Sequence, residues 1–370
     1  MAKEYEIEIN GQPAWYSNQT RKFKIYFSEP EQQVNRETGI LLLIAGYGGN
    51  ANSNVYRKMR DYFADRYNLV TLQCDYLGWQ FMQNDQHMPI TETMLRKVLT
   101  PREFRNLEKD YAGNQQILKG KILSGYVSLQ ETAEEYNEMG LCQAMDHLMA
   151  LQVLQDILME NHLEYCRERI YIYGQSHGAY LAYLCNRLAP CCFQGIIENS
   201  AYILPYYLDH ERQVIKEGEL FALQKIYHYL ISDQEYDRES YDLKHLYSGY
   251  ENRARIISFH GMDDEMVSLQ EKQDFLNSIP NVSLHVISKE NVDGEVFRSS
   301  GHSLGADLIR LFDMAFQELE LSRTEIKKDE IEESVRITTQ RYSYWIDREY
   351  GVPILYRRLT DERSLGKESQ

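Results

Sequence analysis

Arg169-Ile170-Tyr171-Ile172-Tyr173-Gly174-Gln175-Ser176-His177-Gly178-Ala179-Tyr180 decides how the rest of the chain is read. A short β-branched and aromatic run ends in Gly-x-Ser-x-Gly. Leu181, Leu184, Cys185 and Leu188 then follow at helical spacing, and Ala189-Pro190 closes the segment. Strand, sharp turn and helix in direct succession are the pattern of a nucleophile elbow. The two glycines flank a serine held in a strained backbone conformation, where a Cβ on either side would crowd the turn. The serine hydroxyl is thereby raised over the sheet edge at a helix N-terminus, which favours developing negative charge.

Moving outward, short apolar runs alternate with helical patterns. Ile40–Ile44, Leu69–Cys74, Gly195–Glu198, Arg255–Phe259 and Ser283–Ile287 read as strands covered on both faces. Helices are expected over 54–66, about 133–160 with a core stripe of Leu141, Met145, Leu148, Leu151 and Ile157, 269–279 and about 304–321. The class is therefore α/β: a mostly parallel twisted sheet with helices on both faces. Tyr5–Ile9 and Lys22–Phe27 alternate in polarity and predict an antiparallel pair at one edge, joined through the Asn10-Gly11 turn region. Two stretches break the alternation, 79–134 and 204–251. A structureless loop of that length is improbable in a compact domain, so both are expected to be insertions forming a cap or lid. The core then spans 1–322. Residues 323–370 form an extension packed on it, with a charge run over Glu325–Glu333 and two strands, Arg336–Trp345 and Val352–Arg358, as an aromatic hairpin.

Composition narrows the function classes. The 370 residues carry a net charge of −16, which argues against a nucleic-acid or anionic-membrane partner. The first residues lack an apolar h-region, and no apolar run approaches a membrane span. Six cysteines show neither disulfide nor zinc spacing and read as free thiols, so a reducing cytoplasm is the expected compartment. The histidines form no metal-ligand spacing. Gly46-Tyr47-Gly48-Gly49 lacks both the Gly-Lys-Ser/Thr ending and the Rossmann spacing, so neither a metal nor a nucleotide cofactor is expected.

A serine hydroxyl needs a base within hydrogen-bond reach and a group that orients the base. His260-Gly261-Met262-Asp263-Asp264-Glu265-Met266-Val267 follows a strand directly, which puts a carboxylate at the same sheet edge as Ser176. Gly301-His302-Ser303 lies in the loop after the last strand and supplies an imidazole. With Gly-x-Ser-x-Gly, then His-Gly-x-x-Asp-x-x-Val, then a Gly-His loop, the chain resembles the α/β-hydrolase superfamily, and within it the prolyl-oligopeptidase and esterase branch. The resemblance covers about 36–78, 135–205 and 250–322. It implies Ser176 as nucleophile, Asp264 as the orienting acid and His302 as base; a shift of one residue in the acid loop would put Asp263 in that role. Oxyanion donors are expected from the His177 backbone N–H and from the loop after Ile40–Ile44. There Tyr47, followed by Gly48, resembles the branch's Gly-Tyr-Gly-Gly, which implies a donor through the Tyr47 hydroxyl or its backbone N–H.

The departures matter as well. Only about forty residues precede the core, which leaves no room for the β-propeller that gates prolyl oligopeptidases. A small acyl ester is thus the first expected substrate and a short peptide or amide the second. A serine esterase, an acyltransferase using the same residues, and a non-catalytic binding or scaffold protein on the same fold all remain open at this point. Trp79, Tyr202, Tyr206 and Tyr207 are candidate pocket lining.

Overall fold

The computed structural model describes residues 1–321, 334–347 and 353–360. Its strands in chain order are β1 Lys3–Gly11, β2 Arg21–Glu29, β3 Gly39–Ile44, β4 Leu69–Cys74, β5 Ile122–Tyr126, β6 Ile170–Gln175, β7 Gly195–Asn199, β8 Arg212–Lys216, β9 Ala222–Tyr227, β10 Arg255–Gly261, β11 Val282–Ile287, β12 Ser334–Thr338, β13 Tyr342–Asp347 and β14 Ile354–Leu359. Eight of them form one sheet in the order β1-β2-β4-β3-β6-β7-β10-β11. The first two contacts, β1 with β2 and β2 with β4, are antiparallel and all the others are parallel. Strand order, strand direction and the covering helices are those of the α/β-hydrolase fold. β3, β4 and β7 are buried along their whole length, as continuous apolar runs between helix layers must be.

The order also locates the site. From β3 the chain steps outward to β4 and then crosses back to β6 on the other side of β3. The connections leaving β3 and β6 therefore diverge and open a crevice at their C-terminal ends. One layer of core lies between the sheet and the helices Leu141–Glu160 and His177–Leu188. The other lies beneath Asn54–Tyr67 and Leu308–Leu321, where Phe63, Phe312 and Phe316 pack together. No helix among the described residues is long and apolar enough to cross a membrane.

Several local expectations are corrected. Asn10 and Gly11 do not turn; they pair with Lys22 and Arg21 inside the β1–β2 ladder, and the connection is the longer segment 12–20. The long helix begins at Leu141 rather than near 133. Met139 has φ 61°, which interrupts helical winding, and the Glu138 carboxylate accepts the N–H groups of Gly140 and Cys142 at 2.9 and 3.0 Å. That helix is also not simply amphipathic, since every residue from Leu141 to Leu151 is buried. The last core helix starts at Leu308, because Ser303 and Leu304 adopt φ 63° and 60°. Arg336–Trp345 is not one strand: the chain turns at 339–341, and β12, β13 and β14 form a three-stranded antiparallel sheet. The charge run Glu325–Glu333 lies outside the described residues.

The segments 79–134 and 204–251 hold short helices, such as Pro101–Lys109, and also three strands. β5 from the first pairs in parallel with β9 from the second, and β9 pairs antiparallel with β8. Leu77, Phe81, Tyr136, Leu208, Tyr229 and Ile231 form a shared apolar cluster between the segments and the body of the protein.

Candidate active site

The elbow shows why its residue types recur at that spacing. Ser176 has φ 53° and ψ −118°, a conformation that costs an L-residue about 1–3 kcal/mol. A Cβ on Gly174 would lie 2.4 Å from the Gly178 carbonyl oxygen, and one on Gly178 would lie 2.3 Å from the Ile44 carbonyl oxygen. Both are impossible contacts, so the strand–helix crossing and its approach to β3 require glycine at both positions. The Ser176 N–H donates to the Asn199 carbonyl at 2.7 Å, which ties the turn to the end of β7.

The loop after β11 is brought to the serine by equally specific contacts. Gly261 lets the two loops close on each other, because a Cβ there would sit 2.3 Å from the Ser300 carbonyl oxygen. The Ser303 N–H donates to Ser200 Oγ at 3.0 Å, and Asn199 Nδ2 donates to the Ser303 carbonyl at 3.1 Å. Buried Leu304 anchors the turn in the core. His302 then presents Nε2 at 2.7 Å from Ser176 Oγ and Nδ1 at 2.8 Å from Asp264 Oδ2. The ring of Tyr202 stacks on His302 at 5.4 Å, nearly parallel at 8°.

Asp264 is fixed from its other side. Its Oδ1 accepts the N–H groups of Met266 at 2.9 Å and Val267 at 3.2 Å. Burial by itself would raise its pKa. The hydrogen bond and charge of His302, with the Met266 N–H, outweigh that and hold the carboxyl below its usual range. The neighbouring Asp263 points elsewhere: it accepts from Ser300 Oγ at 2.7 Å, lies 3.7 Å from Lys289 Nζ and is 48 % exposed. Of the two candidate acids, Asp264 is therefore the one that meets the imidazole. His260 Nε2 meets the Val267 carbonyl at 2.9 Å and so braces the same loop.

Beneath these loops lies a buried ion pair. Lys272 Nζ is 2.6 Å from Glu198 Oε1, and both side chains are fully enclosed. Glu198 also accepts from Ser258 Oγ, from Tyr183 Oη at 3.3 Å and, through Oε2, from the Ala201 N–H at 3.0 Å. The last contact shapes the turn that carries Tyr202.

The loop after β3 lies across from His177. Its Gly49 N–H donates to the Gly46 carbonyl at 2.8 Å. The Tyr47 hydroxyl, expected as a candidate oxyanion donor, lies between Asn137 and Met139. Asn137 Nδ2 donates to it at 2.5 Å, and it lies 3.8 Å from Met139 Sδ. Burial pushes the phenol well above its ordinary pKa. The tyrosine hydroxyl that meets Ser176 is that of Tyr202, also raised mainly by burial. The backbone N–H groups of Tyr47 and Gly48 remain as candidate donors on this loop, with the His177 N–H at the start of its helix. The His177 ring packs away from the chemistry. Its Nε2 pairs with Gln143 Oε1 at 2.7 Å, and burial lowers its pKa to about 3, so the ring stays neutral.

Ser176 is 6 % exposed and opens into a cavity of about 300 Å³ bordered by His302, Tyr47, Tyr202, Tyr207, Met266 and Arg212. Trp79 and Tyr206, also anticipated as lining, do not border it. Tyr202 could be anticipated as lining because it follows a strand end at the right edge. Its stacking on His302, and the presence of Arg212 at all, carried no local signal. Among the described residues, no group of three or more His, Cys, Asp or Glu side chains could hold a metal ion.

In comparisons with known proteins, the family model described as "Protein of unknown function (DUF2920)" matches residues 113–347. No curated protein matches. Among solved structures, the chain is similar to Est1E from Butyrivibrio proteoclasticus with bound ferulic acid. The identity is 12 %, the TM-score 0.42, and the match covers 82 % of this chain and 95 % of the other. It is similar to dienelactone hydrolase from Anabaena variabilis at 12 % identity and TM-score 0.42, over 88 % and 99 %. It is also similar to Thermogutta terrifontis esterase 2 phosphonylated by sarin, at 12 % identity and TM-score 0.44, over 84 % and 95 %.

Proposed function

The chain belongs to the DUF2920 family, and starting from that membership, which carries no assigned chemistry, we propose that it is a serine hydrolase acting on a carboxylic ester through an acyl-enzyme. The observation that carries the reading is the continuous line from Ser176 Oγ through the His302 ring to Asp264 Oδ2, at 2.7 and 2.8 Å. In this reading His302 Nε2 takes the proton as Ser176 Oγ attacks the ester carbonyl. Asp264 holds the Nδ1–H tautomer and stabilises the imidazolium. The new oxyanion is received by the N–H of His177 and an N–H of the Tyr47-Gly48 loop. Collapse breaks the C–O bond to the alcohol, which leaves with the proton from His302. Water then repeats the sequence on the acyl-serine and releases the acid.

A fluorophosphonate probe reports directly on the nucleophile. Wild type is expected to label at one serine and Ser176→Ala not at all, with p-nitrophenyl ester turnover lost in parallel. Unchanged labelling of the variant would overturn the assignment. Tyr47→Phe provides a contrast. Loss of one oxyanion donor costs about 10²–10³ in kcat, whereas this variant is expected to lose less than about tenfold, since its hydroxyl is engaged with Asn137. A loss of 10² or more in steady-state assays would return the hydroxyl to the oxyanion hole.

A further inference from the structure

Arg212 opens β8 and lies at the wall of the Ser176 cavity, yet it is only 6 % exposed. Its hydrogen bonds go to neutral acceptors: Nη1 to the Met82 carbonyl at 2.6 Å and Nη2 to Asn84 Oδ1 at 2.5 Å. The rings of Tyr47 and Tyr227 face it at 5.0 and 4.9 Å. Among the described residues, no carboxylate comes within ion-pair distance of it. Two other buried cations are matched, Arg21 by Asp146 and Lys272 by Glu198, whereas Lys225, which does not border the cavity, is held by the Asn84 and Gln86 carbonyls. A guanidinium does not lose its proton to escape burial, so its charge stays. None of the described residues bordering the cavity is acidic. Beside the guanidinium lies the buried, neutral hydroxyl of Tyr229, which interacts with Arg212 and with Tyr47.

The position of Arg212 relative to the ester can also be read. Gly48 of the oxyanion loop has φ +76°, and a Cβ there would come within 3.2 Å of Arg212 Nη2, so the guanidinium rests against that loop. The leaving alcohol must depart on the His302 side, where it collects its proton. The charge beside the oxyanion loop therefore faces the acyl part. One guanidinium, with no second cation bordering the cavity, matches a single planar negative group better than a doubly charged phosphate.

We infer that Arg212 is the binding residue for a carboxylate on the acyl portion of the substrate, making the preferred substrates half-esters of dicarboxylic acids. This rests on the serine-hydrolase reading and narrows its substrate class. Arg212 also joins the two cap segments, since Met82 and Asn84 belong to one and Arg212 to the other. The test must therefore separate recognition from architecture.

The 4-nitrophenyl monoesters of glutaric and adipic acid are compared with their methyl-capped neutral counterparts. Wild type is expected to favour the better of the two anionic esters in kcat/KM by on the order of 10²-fold. Arg212→Gln should bring that ratio near one, and Arg212→Lys should retain part of it. A purely structural role would lower both rates together and leave the ratio where it was. A second measurement needs no variant: free glutarate or adipate should protect wild-type Ser176 from the fluorophosphonate, whereas the dimethyl esters at equal concentration should protect less. Labelling with no preference for either anionic ester, or with equal protection by diacid and diester, overturns the inference while leaving the hydrolase reading standing. Absence of labelling removes both.

Discussion

Asp264→Asn is expected to reduce kcat for a p-nitrophenyl ester by about 10³–10⁴-fold, with far-UV circular dichroism unchanged. Asn is nearly isosteric, so the Met266 and Val267 N–H groups can still bond to its Oδ1. What changes is the partner of His302 Nδ1. An amide that donates there turns the ring to the tautomer with its proton on Nε2, where it can no longer accept from Ser176. Asp263→Asn is the matched control. Its side chain faces Ser300 and solvent, and it should keep activity within a few-fold on the scale of ordinary surface changes. If Asp263→Asn lost the activity and Asp264→Asn kept it, the acid would be the other residue. The carboxyl of Asp264 is held below its usual range, so its contribution to stability is complete above the unfolded-state pKa of about 4 and fades as pH falls through the lower folded value. Acid denaturation of wild type, followed by tryptophan fluorescence, should accordingly include a component missing from the Asn variant.

Lys272→Met should destabilise the protein by about 3–5 kcal/mol, the scale seen when one member of a buried ion pair is removed. Glu198 would be left in an enclosed site without its cation, with Ser258, Tyr183 and the Ala201 N–H as its remaining partners among the described residues. Adding Glu198→Gln to the Met variant removes the stranded charge and should restore most of the loss. Urea unfolding of the two single variants and the double variant measures this coupling directly. Near-additive losses would mean that the pair contributes little beyond packing. Because Glu198 also shapes the Ala201-Tyr202 turn, the Met variant should show a weakened Tyr202–His302 stack and lowered turnover even at temperatures where it remains folded.

The parts of this molecule that could be read from sequence are those whose geometry is local. The elbow declared itself because two forbidden Cβ positions and a strained serine fall within five residues. The parallel core strands were visible because burial on both faces leaves uninterrupted apolar runs. The acid was narrower than its loop: Asp263 and Asp264 are chemically equal and adjacent, and the backbone turn alone decides which one reaches His302. Tyr47 shows how a distant residue bears on a local reading. Its loop position resembled that of a functional residue, but Asn137, ninety residues away, holds the hydroxyl. β5, β8 and β9 were not anticipated because β5 and β9, which pair, come from different segments and short strands of mixed polarity have no periodic signature of their own. Arg212 was silent for the same reason, since nothing near it in the chain announces the cavity.

The pairing of Ile122 with Ala222 places a hundred residues of chain between two neighbouring strands. On a ribosome adding about 5–20 residues per second, the first strand must wait roughly 5–20 s for its mate. The segment bearing Met82 and Asn84 is therefore made well before Arg212 and stays without its closing edge for that interval. Maturation of the roof is thus a late event in the life of each molecule. Polypeptides arrested before residue 212 would carry the elbow serine without the strand whose Arg212 borders its cavity.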